Sequence, residues 1–323
     1  MPIFRGCHHP GVAPACALTI GNFDGVHQGH QAMLALLRAQ ARQRGLPSCV
    51  LTFEPHPRDH FAAVQRDPSL APQRVCTLRD KLDDLRRLGI DQTIVLPFDR
   101  VCSLPPQEFI DRVLVRGLKA RYVLVGDDFR FGSQRMGDYA LLDKQGIALG
   151  FDVGRMNQYE IHGVRVSSSA VRQALGKGRM DDATRLLGHP YTVSGHVLHG
   201  RKLGRELGFP TLNLRFAHWN PAARGVFVVH VHGLGEAPLP GVANLGVRPS
   251  LDSRDANRGR VLLETHCLEW PPTLGEKGGY AKLIRVELLH KLHDELSYPS
   301  LDALGAGILR DCQDARAFFA QRR

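Results

Sequence analysis

Gly21-Asn22-Phe23-Asp24-Gly25-Val26-His27-Gln28-Gly29-His30 joins a short apolar run, Ala15 to Ile20, to a helical pattern that starts near Gly29. Glycine carries no Cβ, so Gly21 and Gly29 let the backbone approach an anion closely. A helix starting here turns its free amide groups and the positive end of its dipole toward that anion. His27 and His30 stand at the mouth of the helix, where each can donate a hydrogen bond to phosphate oxygens as charge builds in a transition state. The plain alternative is a glycine turn with two solvated histidines. The position of the whole loop, between a strand and a helix, favours phosphate. Nucleotidyl transfer in such a loop requires no protein nucleophile: a phosphate of one substrate attacks the α-phosphorus of ATP while the protein positions and neutralises.

Outward from the loop, strand and helix patterns alternate. The helix faces a core with Met33, Leu34, Leu36 and Leu37 and ends at Gly45. Cys49 to Phe53 reads as a buried strand. Thr77 to Leu88 reads as a helix capped by Thr77, with Asp80 three residues on. Asp91 to Pro97 is a strand, Pro105 to Leu118 a helix, and Tyr122 to Val125 a strand. Such alternation implies an α/β fold with a Rossmann-like parallel sheet, whose ligands bind at the carboxyl ends of the strands. Further polar clusters fall at such ends: Glu54-Pro55-His56-Pro57-Arg58 and Gly126-Asp127-Asp128-Phe129-Arg130-Phe131-Gly132. Val166-Ser167-Ser168-Ser169-Ala170-Val171-Arg172 opens the first of two short helices, Ser168 to Leu175 and Asp181 to Leu187. Singly, each cluster reads equally well as a turn, a core aromatic pair or a cap; their convergence on one sheet edge favours a site.

Gly188-His189-Pro190 marks a boundary, dividing the chain into expected domains 1–188 and 189–323. Beyond it come strand patterns at Tyr191–Leu198, Val226–His232, Gly241–Leu245, Arg260–Cys267 and Leu283–Leu289, with no long helix between them. An antiparallel β-barrel is expected. A terminal helix starts near Ser300 with the stripe Leu301, Leu304, Ile308, Cys312, Ala315 and Phe319. Within this half, Gly200, Gly204 and Gly208 recur four apart, with Arg201, Lys202 and Arg205 among them. This suits a flap over nucleotide phosphates, and equally a basic hairpin loop. Thr211 and Asn213 alternate on an extended segment, so both side chains point one way and offer two neutral oxygens to a phosphate-bound Mg²⁺. Glu264 sits inside the apolar run Val261-Leu262-Leu263-Glu264-Thr265-His266. It lies on a solvated face or, if it faces the barrel mouth, accepts the proton of a substrate hydroxyl.

Composition bounds the rest. The chain has 323 residues, a net charge of +10, 43% hydrophobic and 23% charged residues, ordinary for a globular protein of two domains. No apolar run approaches a membrane span, and Met1 to Ala17 lacks a signal pattern. Seven scattered cysteines fit neither a disulfide framework nor a CxxC zinc site, so a reduced, cytoplasmic location is expected. The positive charge is spread out and aromatics are only 7%, which favours small anionic ligands over nucleic acid.

Taken in order, GNFDGVHQGH, EPHP, GDDFRFG, SSSAVR and the GRKLGRELGFPTLN stretch resemble the bacterial bifunctional riboflavin kinase/FMN adenylyltransferases, over nearly the whole chain. The resemblance implies that Asn22, His27, His30, Asp128, Ser168 and Arg172 line an ATP site, with Phe129 and Phe131 near the flavin. It implies a kinase barrel in which Thr211 and Asn213 bind MgATP and Glu264 is the general base. Riboflavin, FMN and ATP would be the ligands, Mg²⁺ the metal, and FMN and FAD the products. Neither nucleic acid nor a membrane is expected as a partner, and self-association stays open. The rival readings are a different HxGH adenylyltransferase with an accessory barrel and a basic nucleic-acid-binding protein. Departures from the family pattern include Ser169 for Thr, Leu212 for Ala, Ser250 for Thr, and His293 and Tyr298 flanking Glu295.

Overall fold

The computed structural model describes residues 1–161, 163–199, 204, 207–247, 261–275 and 279–322. They form two compact units: residues 1–72 with 81–167, and residues 73–80 with 168–323.

The first unit is an α/β domain. In chain order it holds β1 (Ile3–Arg5), β2 (Cys16–Ile20), α1 (Gln28–Gln43), β3 (Ser48–Glu54) and α2 (Pro57–Gln65). Helix α3 (Leu78–Arg87) leads into β4 (Gln92–Pro97), and α4 (Pro106–Phe109), continued by π-type turns over Ile110–Gly117, precedes β5 (Ala120–Gly126). There follow α5 (Tyr139–Leu149), β6 (Asp152–Met156) and the small ribbon β7 (Glu160–Ile161) and β8 (Val164–Arg165). Six strands pair in parallel in the order β1-β4-β3-β2-β5-β6. The central strands are mostly apolar because helices cover both faces: β2 is buried at all five positions. The chain runs from β2 to one side through β3 and β4, then returns to the other side at β5. That reversal leaves a crevice at the carboxyl ends of β2 and β5, where ligands bind in such sheets.

The parallel sheet is wider than the sequence pattern shows. β1 has three residues, too few for a period, and β6 is a half-exposed edge strand. Leu36 was expected to face the core but is 37% exposed, because the buried stripe of α1 is Leu34, Leu37 and Ala41. Thr77 caps α3 as expected: its Oγ1 accepts from the Asp80 amide (3.2 Å) and donates to the Asp80 carboxylate (2.7 Å).

The second unit begins with α6 (Ser168–Gly176) and α7 (Met180–Leu187). Its strands are β9 (Tyr191–His196), β10 (Leu212–Arg215), β11 (Gly225–His232), β12 (Leu239–Val247), β13 (Val261–Cys267) and β14 (Leu283–His293), followed by α8 (Leu301–Ala320). They form one antiparallel sheet in the order β10-β13-β12-β11-β14-β9. The Leu198 amide donates to the Asn213 carbonyl (2.8 Å), bringing the two edges together into a barrel. Alternation then sorts the side chains. Phe227, Val229, Leu245, Leu263, Val286 and Leu288 fill the interior. Val228 and Val242 point outward and are covered by Cys312 and Ala315 of α8, whose N-cap Ser300 accepts from the Ala303 amide. Leu301 begins the helical stripe but is exposed.

Helices α6 and α7 share the barrel's hydrophobic core through Val171, Leu175, Met180, Ala183 and Leu187. The segment 73–80 joins the same unit: the Arg74 amide donates to the Asn220 carbonyl (2.8 Å), the Ala222 amide donates to the Arg74 carbonyl (2.9 Å), and Asp80 accepts from the Ser194 hydroxyl. Among the described residues no helix is long and apolar enough to cross a membrane.

Phe227 is fully buried in the middle of the barrel. Phe227→Ala should cost about 3–5 kcal/mol. Both tryptophans, Trp219 and Trp270, lie in this unit. Their fluorescence should therefore show the loss as an earlier urea midpoint.

Candidate functional sites

The loop after β2 is held tightly. Phe23 and Val26 are buried, and both adopt positive φ, 48° and 37°. Such a backbone is strained for a β-branched residue and persists because both side chains are locked in the core. Beneath the loop, the fully buried Lys81 donates from Nζ to Thr52 Oγ1 (3.4 Å), and Thr52 donates to the Asn22 carbonyl (3.3 Å). This chain of contacts fixes the turn at Gly21 and Asn22.

His27 is the N-cap of α1 and is buried: its Nδ1 accepts from the His30 amide (3.3 Å). An Nδ1 that accepts carries no proton, so in the neutral ring the proton sits on Nε2. The rings of His27 and His30 stack, 3.6 Å between centroids. Gly29 makes that stacking possible. A Cβ there would lie 3.3 Å from two atoms of the His27 ring and 3.3 Å from the Val166 carbonyl oxygen. The residue between the histidines is therefore constrained by space, and the paired imidazoles are aimed as one unit from the helix N-terminus.

The neighbouring loop follows β5. Asp128 is exposed and its Oδ2 accepts from Arg165 (2.9 Å). Phe129 is half-buried and stacks on Phe131 at 5.5 Å, while Phe131 is buried in the core beside Phe109. His56 is buried and caps α2, its Nδ1 accepting from the Arg58 amide (3.2 Å). Ser168 and Arg172 lie on α6, in the second unit, where Arg172 Nε donates to the Gln73 carbonyl (2.7 Å).

In the second unit a cavity of about 870 Å³ opens on the outer wall of the barrel, bordered by β10, β13, β12, the segment 293–300 and the start of α8. Thr211 and Asn213 both face it, while Leu212 and Leu214 face the core. Glu264 pairs with Asn213 of β10 on one side and Asn244 of β12 on the other. Paired residues share a face, so the three side chains form a row, and all three line the cavity. Glu264 was expected, if functional, to face the barrel mouth. It faces outward instead, because Leu263 and Cys267 take the interior positions of β13.

Asn213 is buried, and its Nδ2 makes a long contact to the Thr211 carbonyl (3.5 Å), leaving Oδ1 as the acceptor end of the amide. Gly204 also lines the cavity. Its carbonyl accepts from the Phe209 amide (2.6 Å), and a Cβ there would run into the Phe209 carbonyl oxygen. Gly208 adopts φ 84°, which favours glycine. Gly200, Arg201, Lys202, Arg205, Arg248, Pro249 and Ser250 lie outside the described residues.

The cavity wall includes polar residues that sequence reasoning did not assign. Asn244 Nδ2 donates to Glu295 (3.1 Å), and Gly246 leaves room for that carboxylate against β12. His266 Nδ1 faces the Pro210 carbonyl (2.9 Å), and burial pushes its imidazole below the ordinary value. His293 Nε2 lies 2.8 Å from Asp311. One sequence signal was available: Asn244, like Glu264, is a polar residue within an apolar strand. Lys81 carried another, since it occupies the apolar stripe of α3 with Leu78 and Leu85. Among the described residues, no group of three or more His, Cys, Asp or Glu side chains is placed to hold a metal ion. The oxygens that Thr211 and Asn213 offer are neutral.

Comparison with known proteins matches both halves of the chain. The FAD synthetase family profile matches residues 10–170, and the riboflavin kinase profile matches residues 187–319. The bifunctional riboflavin kinase/FMN adenylyltransferase of Escherichia coli strain K12 is 44% identical over 99% of this chain and 98% of its own. Those of Pseudomonas fluorescens and Haemophilus influenzae are 42% and 39% identical over 99% of this chain. A crystal structure of a macrolide-efflux protein from Streptococcus pneumoniae covers 98% of both chains with a TM-score of 0.72 at 25% identity. The strained HxGH loop on a parallel sheet and the Thr-x-Asn/Glu row on an antiparallel barrel thus occur in one chain that belongs to the bifunctional riboflavin kinase/FMN adenylyltransferase family.

Proposed function

We propose a division of labour within a chain that phosphorylates riboflavin to FMN and adenylylates FMN to FAD, each with ATP. Phosphorylation is assigned to residues 189–323 and adenylylation to residues 1–188. The observation that carries the kinase half is the row Asn213–Glu264–Asn244 facing a cavity with Thr211 at its edge. Glu264 accepts the proton of the terminal ribityl hydroxyl, whose oxygen attacks the γ-phosphorus of ATP. Thr211 and Asn213 offer two neutral oxygens on one face, which suits a cation that arrives already bound to phosphates. Mg²⁺ held there would supply neutralisation of the ATP phosphates. Gly200, Lys202, Gly204 and Gly208 are assigned to covering those phosphates.

For adenylylation, Nε2–H of His27, with His30 stacked on it, is assigned to the α-phosphate, beside the approach at Gly21, Asn22 and Gly29. Asp128, Ser168 and Arg172 are assigned to ATP. Phe129 is assigned to the flavin, with Phe131 behind it in the core. The FMN phosphate is anionic at neutral pH, so this step needs no base, and pyrophosphate leaves. The reading places the chain in the reducing cytoplasm and needs neither nucleic acid, nor a membrane, nor a second copy of the chain.

Two activities on separate residues must separate on mutation. With riboflavin, ATP and Mg²⁺, product separation over time should show FMN and then FAD. His30→Ala should lower FAD formation by about 10²–10³-fold and leave FMN formation intact. Glu264→Ala should lower FMN formation by about 10²–10⁴-fold and leave FAD formation from supplied FMN intact. If both variants made FAD from FMN at the normal rate, the assignment of the His27–His30 loop would be wrong. Gly29→Ala should behave like His30→Ala at reduced severity, about 10-fold or more, because its methyl group displaces the His27 ring.

A further inference from the structure

His293 ends β14 and starts the segment 293–300, which walls the kinase cavity. Its ring is placed between two acceptors. Nδ1 lies 2.7 Å from the Asp294 carbonyl oxygen and Nε2 lies 2.8 Å from Asp311 Oδ1 on α8. A carbonyl and a carboxylate oxygen only accept, so both ring nitrogens must donate, and the geometry is that of an imidazolium. Two other contacts seat the same segment. Glu295 accepts from Asn244 of β12, and the Tyr298 ring lies over Gly307 of α8, where a Cβ would come within 2.6 Å of it. Of these three contacts, only the His293–Asp311 one is made by an imidazole.

We propose that His293 and Asp311 are a positioning pair for the kinase step: the doubly protonated imidazole ties the cavity wall to α8, and the tie weakens as the ring loses a proton. The inference rests on assigning this cavity to riboflavin phosphorylation. Among the described residues, the charged and titratable groups around the ring come from its own strand, the following segment and α8. Its own strand brings Lys291, which pairs with Asp294. The following segment brings Asp294 and Glu295, and α8 brings Asp311. From β11 its register partner is Val226. Partial burial alone would pull the imidazole down. The Asp294 carbonyl, the Asp311 carboxylate and the charges of both acids outweigh it, so His293 lies above the ordinary imidazole value. The sign follows: a raised imidazole contributes its tie in full below the unfolded value of about 6.5 and loses it as pH rises through the folded value. His266, the other imidazole on the wall, is shifted the opposite way, downward, by burial.

The test measures riboflavin KM of the intact protein at about pH 6 and about pH 8.5, with FAD formation from FMN as the internal control. In the wild type, riboflavin KM should rise about fivefold or more with pH while kcat changes less, and the adenylylation control should not follow it. His293→Arg keeps a positive charge at every pH and should flatten the profile at the low-pH KM. His293→Gln should show the high-KM behaviour at both pH values. A wild-type profile that is flat, or a slope that survives in His293→Arg, overturns the proposal. Independently of catalysis, NMR titration of the His293 ring, assigned by its loss in His293→Arg, should give a value above 6.5, and a value at or below it overturns the pair. Absence of FMN formation at every pH would instead remove the kinase reading of the cavity, while the NMR titration would still decide whether the pair exists.

Discussion

The hydrogen bond from the Leu198 amide to the Asn213 carbonyl draws the two edges of the second sheet together, and much of the geometry of the proposed kinase site depends on it. A closed sheet has an inside and an outside, and strand alternation leaves each residue only one of them. With Leu212 and Leu214 committed to the interior, Thr211 and Asn213 must face out. The same rule on β13 sends Leu263 and Cys267 inward and Glu264 outward. The pairing register then brings Glu264 level with Asn213 and Asn244. A one-residue slip of β13 would turn its carboxylate into an apolar core, so the core that stabilises the barrel also enforces the site.

The first unit solves a different problem with different means. In the proposed adenylylation site a phosphate is approached by backbone amides and by imidazoles, and neither can be aimed by a flexible loop. Two buried side chains, Phe23 and Val26, hold a strained backbone, and a buried lysine braces the turn at Asn22 through Thr52. His27 is fixed by capping its own helix, which also decides which ring nitrogen carries the proton in the neutral ring. Gly29 is small because an imidazole occupies the space beside it. The spacing of the motif thus follows from packing around one ring.

The elements that carry the two proposed sites were legible in the sequence where local rules govern. A glycine loop between strand and helix, an alternating Thr-x-Asn and an acid within an apolar run each carry their meaning in a few residues. The wider parallel sheet was less legible, because three residues of β1 show no period and β6 is half exposed. The direction of Glu264 was not readable, because periodicity places residues on opposite faces without saying which face is the core. Asn244, Glu295 and Asp311 gather at one cavity from three separate stretches of chain, and only the pairing of β12 with β13 and the packing of α8 bring them there. The resemblance to a known family pointed to the activities, while the contacts of His293 and Gly29 came from the geometry.

The segment 73–80 and the helices α6 and α7 bear on whether the two activities can be severed. A chain started at residue 189 would leave behind Met180, Ala183 and Leu187, which complete the barrel's apolar interior. Starting it at Ser168 would restore those but still omit Val75, which is buried in the same core, and Asp80, which accepts from the Ser194 hydroxyl. The second compact unit is assembled from two stretches of chain separated by more than half of the first. The joining of the two activities in this chain is therefore a matter of folding as well as of sequence order, and a clean excision of either half has no single place to cut.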